Sequence, residues 1–240
     1  MTRTAQSMMN SATIKPPRCN VLGIGVHAVN MESAVQEIQG AVRRGEKGYV
    51  CVTGVHGVME AQKDSGLREA FNQSFLTVPD GMPMVWVGRL QGHRTMRRVY
   101  GPDLMIELCK SSIQDGATHY LYGGKPGTAE DLKQSLEKLV PGVRIVGTST
   151  PPFRPLHAEE ERELAEEISR LQPDYFWVGI SSPKQDRFMA HYRSRLDAGI
   201  MLGVGAAFDV HTGGIKDAPS WMKQAGLQWL HRLGQEPRRL

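Results

Sequence analysis

The chain has 240 residues, of which 40% are apolar and 22% are charged, as in an ordinary soluble globular protein with a sizeable core. The formal net charge of +4 permits attraction to phosphates or anionic lipid but gives no reason to expect nucleic acid as a partner. No apolar run approaches the roughly 20 residues that span a bilayer. Three cysteines without CxxC spacing exclude a disulfide framework and indicate reduced thiols.

The N-terminal segment, residues 1–18, is polar with scattered basic residues and lacks the apolar core of a signal peptide, so we expect a mobile cytoplasmic tail. Asn20–Val26 then predicts a strand, and Met31–Arg44 has helical spacing. The glycines of this strand loosely match a dinucleotide-binding fingerprint. No acidic residue follows at the end of a second strand, so we favour strand-to-turn packing and keep a nicotinamide oxidoreductase as a distant alternative.

Tyr49–Thr53 predicts a buried strand, and a helix is predicted to begin at Val55. Thr53 and His56 therefore lie where a strand ends, which is the usual rim of a binding crevice in an α/β protein. His56 fits either a catalytic side chain or a helix-start histidine bonded to the backbone, and the sequence leaves both interpretations open.

The next apolar run, Phe75–Val78, breaks at a sharp turn that contains Pro79, Asp80 and Gly81. Such a turn presents one carboxylate at a strand end. Arg98 follows later, just before a turn that opens another helix. One carboxylate and nearby cations suit general-base chemistry beside a phosphate leaving group. The alternative is an Asx turn next to a solvated basic patch.

Strands alternate with helices through the rest of the chain. Predicted strands cover 118–122, 143–147, 174–180 and 200–204, and predicted helices cover 101–114, 128–139 and 159–171. This alternation predicts an α/β, Rossmann-like fold with a mostly parallel sheet and helices on both faces. We expect a single domain over 19–240, built from two closely packed halves that meet near 116–118.

Three loops at predicted strand ends carry further candidate residues. Gly123 and Gly124 begin a glycine-rich turn that either faces an anion with its backbone N–H groups or is simply tight. Pro183, Lys184 and Gln185 suit a nucleobase, ribose or diphosphate, although Ser182 and Gln185 would also form a capping box. The third loop is Gly-flanked and contains Gly205, Phe208 and Asp209.

The chain is predicted to close with a helix opened by DAPSWM. Asp217 is its expected cap and Pro219 lies near its first turn. The tryptophans at 221 and 229 fit the apolar face of this helix, where core packing is their expected role.

Five motifs occur in an order that resembles one known family. They are PDGMPMVW with RVYGPDL, LYGGKPG, GISSPKQDRF, GVGAAFDVHTGGIKDAPSWM and LQWLHRLGQEPRRL. Together they look like the signature of the WecG/TagA/CpsF glycosyltransferases, from Asn20 onward. Two positions depart from the family pattern. The asparagine of its Thr-x-Asn falls near Gly54, and its usual PKQE is PKQD here.

The resemblance implies inverting transfer of an N-acetylmannosamine-like sugar from a UDP-sugar to a polyprenyl-diphosphate-linked acceptor in cell-surface polysaccharide synthesis. Asp80 would take the proton of the acceptor hydroxyl, and Arg98 would meet the departing diphosphate together with the glycine loop at Gly123 and Gly124. Thr53 and His56 would supply other catalytic contacts. The donor-binding residues would be Gly123, Gly124, Pro183, Lys184, Gln185, Gly205, Phe208 and Asp209. Because the sequence has no Asp-x-Asp, we expect neither a metal nor another cofactor.

Family members attach peripherally to the membrane through a basic C-terminal appendage, and this chain ends at Arg238-Arg239, about where that appendage begins. We therefore expect a shortened or short family member at the cytoplasmic face of the inner membrane, with weak, salt-sensitive attachment. Homo-oligomerisation is left open. The alternative to an enzyme is a non-catalytic nucleotide-binding or assembly subunit of an exopolysaccharide system.

Overall fold

The computed structural model describes residues 15–219, 222 and 226–235. The strands are β1 (Arg18–Val21), β2 (Ile24–His27), β3 (Gly48–Thr53), β4 (Leu76–Pro79), β5 (Thr118–Gly123), β6 (Arg144–Ser149), β7 (Tyr175–Gly179) and β8 (Ile200–Gly203). The helices are α1 (Met31–Arg43), α2 (Val55–Lys63), α3 (Ser65–Gln73), α4 (Met82–Leu90), α5 (Gly101–Asp115), α6 (Thr128–Leu139), α7 (Ala158–Leu171), α8 (Lys184–Tyr192), α9 (Ala207–His211) and α10 (Gln228–Gln235).

Strands β3 to β8 form one parallel sheet in the order β4-β3-β8-β7-β5-β6. The predicted α/β class, with a parallel sheet flanked by helices, is confirmed. Strand β8 lies between β3 and β7, so the sheet runs without a break from the first part of the chain to the second. Because all six strands point the same way, their carboxyl ends share one edge of the sheet.

Helices cover both faces of the sheet, and strand β7 shows why. Tyr175 and Trp177 pack in a core with α1, α5, α6 and α9. Phe176 and Val178, which point to the opposite face, pack with α2, α3, α7 and α8. A strand that is buried on both faces must be apolar at nearly every position. The continuous apolar run that predicted a central strand therefore has a structural cause.

The single strand predicted at 20–26 is wrong: this segment is the antiparallel hairpin of β1 and β2. Leu22 and Gly23 have φ angles of 50° and 85°, as expected for a two-residue hairpin turn. Gly23 therefore does not open a helix, which removes the basis of the dinucleotide interpretation. The predicted tail begins outside the described residues, but Arg18 at its end belongs to β1 and donates hydrogen bonds to the carbonyls of Asn72 and Ser74.

Two further differences concern helices. The sequence reasoning did not identify α3, although Asp64 caps it by accepting a hydrogen bond from the N–H of Leu67. The predicted closing helix falls partly on residues outside the described set, including Trp221 and the side chain of Trp229. Within the part that is described, α10 begins at Gln228. Among the described helices, none combines the length and apolar composition of a membrane span.

Candidate active site

The predicted site residues gather at the carboxyl edge of the sheet, although they come from distant parts of the chain. In strand order, Asp80 follows β4, Thr53 ends β3, Gly205 and Asp209 follow β8, Pro183 to Gln185 follow β7, and Gly123 ends β5. Neighbouring strands lie about 4.8 Å apart, so four spacings from β4 to β5 make an edge about 19 Å long. The predicted site residues therefore share one edge of the sheet.

Asp80 is held in place by both its backbone and its side chain. Its N–H donates to the carbonyl oxygen of Thr53 at 2.9 Å. The Nε of Arg98 donates to the Asp80 carbonyl at 2.5 Å, and its Nη2 donates to Oδ1 at 3.1 Å. The Arg98 side chain is only 14% exposed, whereas that of Asp80 is 31% exposed. The carboxylate is thus oriented by a cation that is mostly shielded from solvent, and it remains partly open to solvent itself.

The same guanidinium group links Asp80 to the first residue of α10. Nη2 of Arg98 also donates to Oε1 of Gln228, and the Gln228 amide donates to Asp217 Oδ1 at 3.4 Å. Tyr100 donates its hydroxyl to the same Asp217 oxygen at 2.9 Å, and its ring lies 4.3 Å from the Arg98 guanidinium carbon. The sequence reasoning missed Gln228, since no local pattern shows a contact between residues so far apart. The guanidinium contacts Asp80 and Gln228, and its predicted contact with the departing phosphate stays a prediction.

Thr53 carries a buried hydroxyl at the end of the strand next to Asp80. The residue is 3% exposed, and its Oγ1 has no hydrogen-bond partner among the described residues. A buried hydroxyl without a partner costs about 1–3 kcal/mol, so such a group is unusual outside a functional site. Thr53 is therefore well placed to bond a ligand that enters the edge.

His56 differs from Thr53 because it is exposed. It lies in the first turn of α2 and forms no hydrogen bond within the described part of the chain, so the alternative of a backbone-bonded histidine is not observed. For Gly54, the cap of the same helix, no atom of the described residues lies within 4 Å of the position that a Cβ would take. The departure from the family's asparagine thus leaves room at the rim beside Asp80.

The loop after β7 holds a buried amide against β8. Gln185 is 2% exposed, and its Oε1 has no hydrogen-bond partner among the described residues. A Cβ on Gly203 would lie 3.1 Å from Nε2, and one on Gly205 would lie 3.4 Å from Oε1. These glycines therefore make room for the amide. Ser181, just upstream, has a φ of 69°, a strained value for a residue with a side chain.

The first turn of α8 also differs from the predicted capping box. Pro183 is the N-cap, and the Ser182 hydroxyl donates to Asp186 Oδ2 at 2.6 Å instead of capping with Gln185. Asp186 is 1% exposed, and burial raises the pKa of its carboxyl to about 6. The sequence reasoning treated this aspartate only as a shortened glutamate. Lys184, by contrast, is exposed and forms no ion pair within the described residues.

The conformation of the glycine loop after β5 depends on the close approach of its backbone to the end of β7. Gly123 has a φ of 148°, and a Cβ there would lie 2.6 Å from the carbonyl carbon and oxygen of Gly179. Gly124 donates its N–H to the same carbonyl at 3.0 Å. Helix α6 then begins with Glu130 and Asp131 in its first turn, which weaken the attraction of the helix for an anion. The tight-turn interpretation is therefore well supported, while the predicted nucleotide contact stays a prediction.

Phe208 and Asp209 lie in helix α9 and not in a loop. Phe208 is 1% exposed, and its ring lies where a Cβ on Gly179 would be, 2.3 Å from the nearest ring atom. It therefore supports the β7 end from within the core and is not part of an open surface. Asp209 is partly exposed at the edge beside Gly205.

Comparison of the sequence with known proteins gives one family match and two related enzymes. The model of the "Glycosyl transferase WecG/TagA/CpsF family" matches residues 19–240. An N-acetylglucosaminyldiphosphoundecaprenol N-acetyl-beta-D-mannosaminyltransferase of Bacillus subtilis (strain 168) is 30% identical over 173 residues, which cover 72% of this chain and 66% of that protein. The enzyme of the same name from Bacillus spizizenii is 28% identical over 180 residues, which cover 75% of this chain and 68% of that protein. The matched region thus spans about two thirds of each relative.

Proposed function

Because this chain belongs to the WecG/TagA/CpsF glycosyltransferase family, we propose that it transfers a sugar from a nucleotide-sugar donor to a lipid-linked acceptor. The relatives are named for an acceptor in which N-acetylglucosamine is joined to undecaprenol through a diphosphate, and for transfer of N-acetylmannosamine. We propose UDP as the donor nucleotide and this class of acceptor for the present chain, at the cytoplasmic face of the membrane.

In this proposal the two substrates occupy opposite ends of the edge. The nucleotide lies over the ends of β5, β7 and β8, where Gly124, Gln185 and Asp209 surround it and Lys184 faces its diphosphate. The sugar extends toward β3, and the acceptor hydroxyl approaches at β4. An edge of about 19 Å accommodates a nucleoside diphosphate sugar in this orientation.

In the proposed reaction, Asp80 accepts the proton of the acceptor hydroxyl as that oxygen attacks the anomeric carbon. The bond from the anomeric carbon to the diphosphate oxygen breaks, and the nucleoside diphosphate leaves from the opposite side, which inverts the configuration. Arg98 acts as a positioning residue because it donates to Oδ1 of Asp80 and so fixes the orientation of the carboxylate. The Thr53 hydroxyl bonds a substrate oxygen beside this carboxylate.

One observation carries the proposal: a partly open carboxylate, oriented by an arginine whose side chain is 14% exposed, lies next to a buried hydroxyl that has no partner among the described residues. An Asx turn that served only to reverse the chain would need neither the shielded cation nor the unpartnered hydroxyl. A carboxylate with fixed orientation is what general-base catalysis requires.

A transfer assay tests the proposal. The protein is incubated with labelled UDP-N-acetylmannosamine or UDP-N-acetylglucosamine and a short-chain prenyl-diphosphate N-acetylglucosamine acceptor that is soluble in water. We expect labelled lipid product, with an anomeric configuration opposite to that of the donor by NMR. UDP binding in calorimetry without product from any donor and acceptor pair would instead support the non-catalytic subunit.

A further inference from the structure

An unusual share of the exposed apolar side chains lies on one part of the surface. Of the nine large apolar side chains that are exposed among the described residues, five lie on α2, on α4 and at the turn of the β1–β2 hairpin. They are Leu22, Val55, Met59, Trp86 and Leu90. Single exposed apolar residues need no explanation, but a group of them marks an interaction surface.

Hydrogen bonds make these three elements contiguous. The Gln62 amide of α2 donates to the Leu22 carbonyl at 2.9 Å, and the Gln91 amide after α4 donates to the Asn20 carbonyl at 2.7 Å. The other ends of the helices also meet, since a Cβ on Gly81 would lie 3.9 Å from the Cα of Gly54. Val55 and Met59 share one helix face by their spacing, as do Trp86 and Leu90.

The α4 side of this surface is cationic. Arg89, Arg94 and Arg97 are exposed in and after α4, and residues 81–102 contain no acidic side chain. None of these three arginines forms an ion pair within the described residues. Arg97 donates to the carbonyl of Arg94 at 2.7 Å, and Arg89 donates to that of buried Met96 at 3.1 Å. The loop is therefore held in shape and presents its charge from a fixed position.

We propose that this α2–α4 surface, defined by the five apolar residues and the three arginines, binds an anionic lipid bilayer. Leu22, Trp86 and Leu90 enter the boundary between headgroups and acyl chains, while the arginines contact lipid phosphates. A second copy of the chain fits less well, because a symmetric contact would bring the like charges of both copies together. Lipid phosphate supplies the opposite charge.

The position of the surface fits a reaction on a lipid-linked acceptor, and in this respect the inference rests on the proposed function. Helix α4 has nine residues and is about 13 Å long at 1.5 Å per residue. Its first turn follows Asp80 directly, and its last residue is Leu90, which is 88% exposed. A protein bound through this surface holds Asp80 within about one helix length of the headgroups.

Vesicle sedimentation tests the surface, with phosphatidylcholine vesicles that contain or lack phosphatidylglycerol. We expect Leu90→Gln to lower the partition coefficient about tenfold on anionic vesicles, since the leucine no longer enters the boundary. Arg94→Gln should lower it about fivefold, the effect of one cation near such a surface, and should have no effect on neutral vesicles. Leu139→Gln on α6 and Arg170→Gln on α7 are matched controls that should bind like the wild type.

Three results would overturn the inference: absence of wild-type binding, equal binding to both kinds of vesicle, or equal losses in the control variants. A wild-type dimer that Leu90→Gln dissociates, with vesicle binding unchanged, would assign the surface to a second copy instead.

The transfer assay separates this inference from the proposed function. Leu90→Gln should transfer normally to the water-soluble acceptor and several-fold more slowly to a vesicle-embedded one. If the wild type transfers to neither acceptor, the proposed function fails while the vesicle result stands. If the wild type transfers to the soluble acceptor but does not bind vesicles, only the lipid surface is wrong.

Discussion

Asp80 is oriented by hydrogen bonds to strand β3 and to Arg98. Its backbone N–H is bound by β3, and the Arg98 guanidinium contacts both its carbonyl and its carboxylate. Arg98 is itself fixed by the Tyr100 ring and by Gln228. A general base oriented in this way avoids the cost of ordering a mobile side chain during the reaction.

Asp80→Asn should therefore abolish transfer while UDP binding persists. The amide keeps the turn and an oxygen for Arg98 but cannot accept the hydroxyl proton, and loss of a general base typically lowers the rate about 100-fold to 10,000-fold. Single-turnover transfer and UDP calorimetry measure the two effects separately. Asp115→Asn is the matched control, because Asp115 also pairs with an arginine, Arg43, but lies at the end of α5. More than about a tenth of wild-type activity in Asp80→Asn would make Asp80 a turn residue.

Thr53→Val tests the unpartnered hydroxyl. Since Oγ1 bonds no described residue, its removal should leave the free energy of unfolding unchanged or raise it, while kcat/KM falls about tenfold. Thr77→Val is the control, because the Thr77 hydroxyl bonds the Phe71 carbonyl at 3.0 Å and Ser74 at 2.7 Å. That variant should lose about 1–2 kcal/mol of stability and keep its activity. The opposite pattern would show that the Thr53 hydroxyl is structural.

At the scale of elements, the turns that follow the strands depend on glycines that let backbones or rings approach closely. Gly123 lies against the Gly179 backbone, and Gly179 in turn lies against the Phe208 ring. A side chain at either glycine would separate the ends of β5, β7 and β8. The edge of the sheet is thus shaped by the absence of side chains as much as by the polar groups placed there.

Gly123→Ala should lower the free energy of unfolding by about 2–5 kcal/mol, the sum of an unfavourable φ and a clash with the Gly179 carbonyl. Gly45→Ala is the control, since Gly45 has a φ of 66° but nothing within 4 Å of its Cβ position. It should lose only about 1–2 kcal/mol, which is the cost of the left-handed backbone. Urea unfolding of both variants gives the comparison, and equal losses would contradict the steric argument.

The stability of the folded protein depends on pH through Asp186 in helix α8. Burial raises the pKa of this carboxyl from 3.8 to about 6, so the folded protein keeps a proton that the unfolded chain releases. The proton on Asp186 contributes about 3 kcal/mol to the free energy of unfolding. This contribution is fully present below pH 3.8 and is lost as the pH rises through 6. The groups that face the carboxyl are the Ser182 hydroxyl, the Cys51 thiol and Arg187.

Asp186→Asn should therefore match the wild type near pH 4 and exceed its stability by about 3 kcal/mol at pH 8. Unfolding free energies across this range provide the measurement. Asp197→Asn is a control of opposite sign, because Lys47 lowers the pKa of Asp197 and that variant should lose stability at high pH. An Asp186→Asn difference that does not change with pH would mean that the carboxyl is ionised alike in both states.

At the scale of the whole molecule, the parallel sheet brings the ends of five strands to one edge and so assembles groups that lie more than 150 residues apart. The same topology sets α2 and α4 side by side, because β3 and β4 are neighbours and each helix follows its strand directly. The candidate site and the α2–α4 surface are therefore adjacent as a consequence of strand order.

Transfer should be insensitive to EDTA. The sequence contains no Asp-x-Asp for a diphosphate-bound metal, and Lys184 is exposed at the edge where the diphosphate is proposed to lie. Initial rates with EDTA, and with added Mg²⁺ or Mn²⁺, should agree. Lys184→Gln should lower kcat/KM in all three conditions, because no cation replaces it. Loss of transfer in EDTA that Mg²⁺ or Mn²⁺ restores would show that the charge scheme is wrong.

The sequence alone was sufficient to predict many of the local features of this fold and the location of several predicted site residues at strand ends. The bounds of α6 agree with those predicted, and α1 and the central strand β7 agree to within one residue at each end. Asp80 and Thr53 were correctly placed at strand ends. These features depend on hydrophobic period and on turn residues within a few positions of each other, so the local sequence carries the information.

The tertiary structure alone decided the strand order, the hairpin in place of a single strand, and the partners of the site residues. Arg98 is two positions from Tyr100 but 130 from Gln228, and the fold brings its guanidinium into contact with both Gln228 and the carboxylate of Asp80. Asp186 drew notice in the sequence only as the aspartate of PKQD in place of the family's PKQE, and the packing of α8 on the sheet buries it. Hydrogen bonds and burial of this kind arise when distant segments pack, and the free energy of that packing is not contained in any local stretch of sequence.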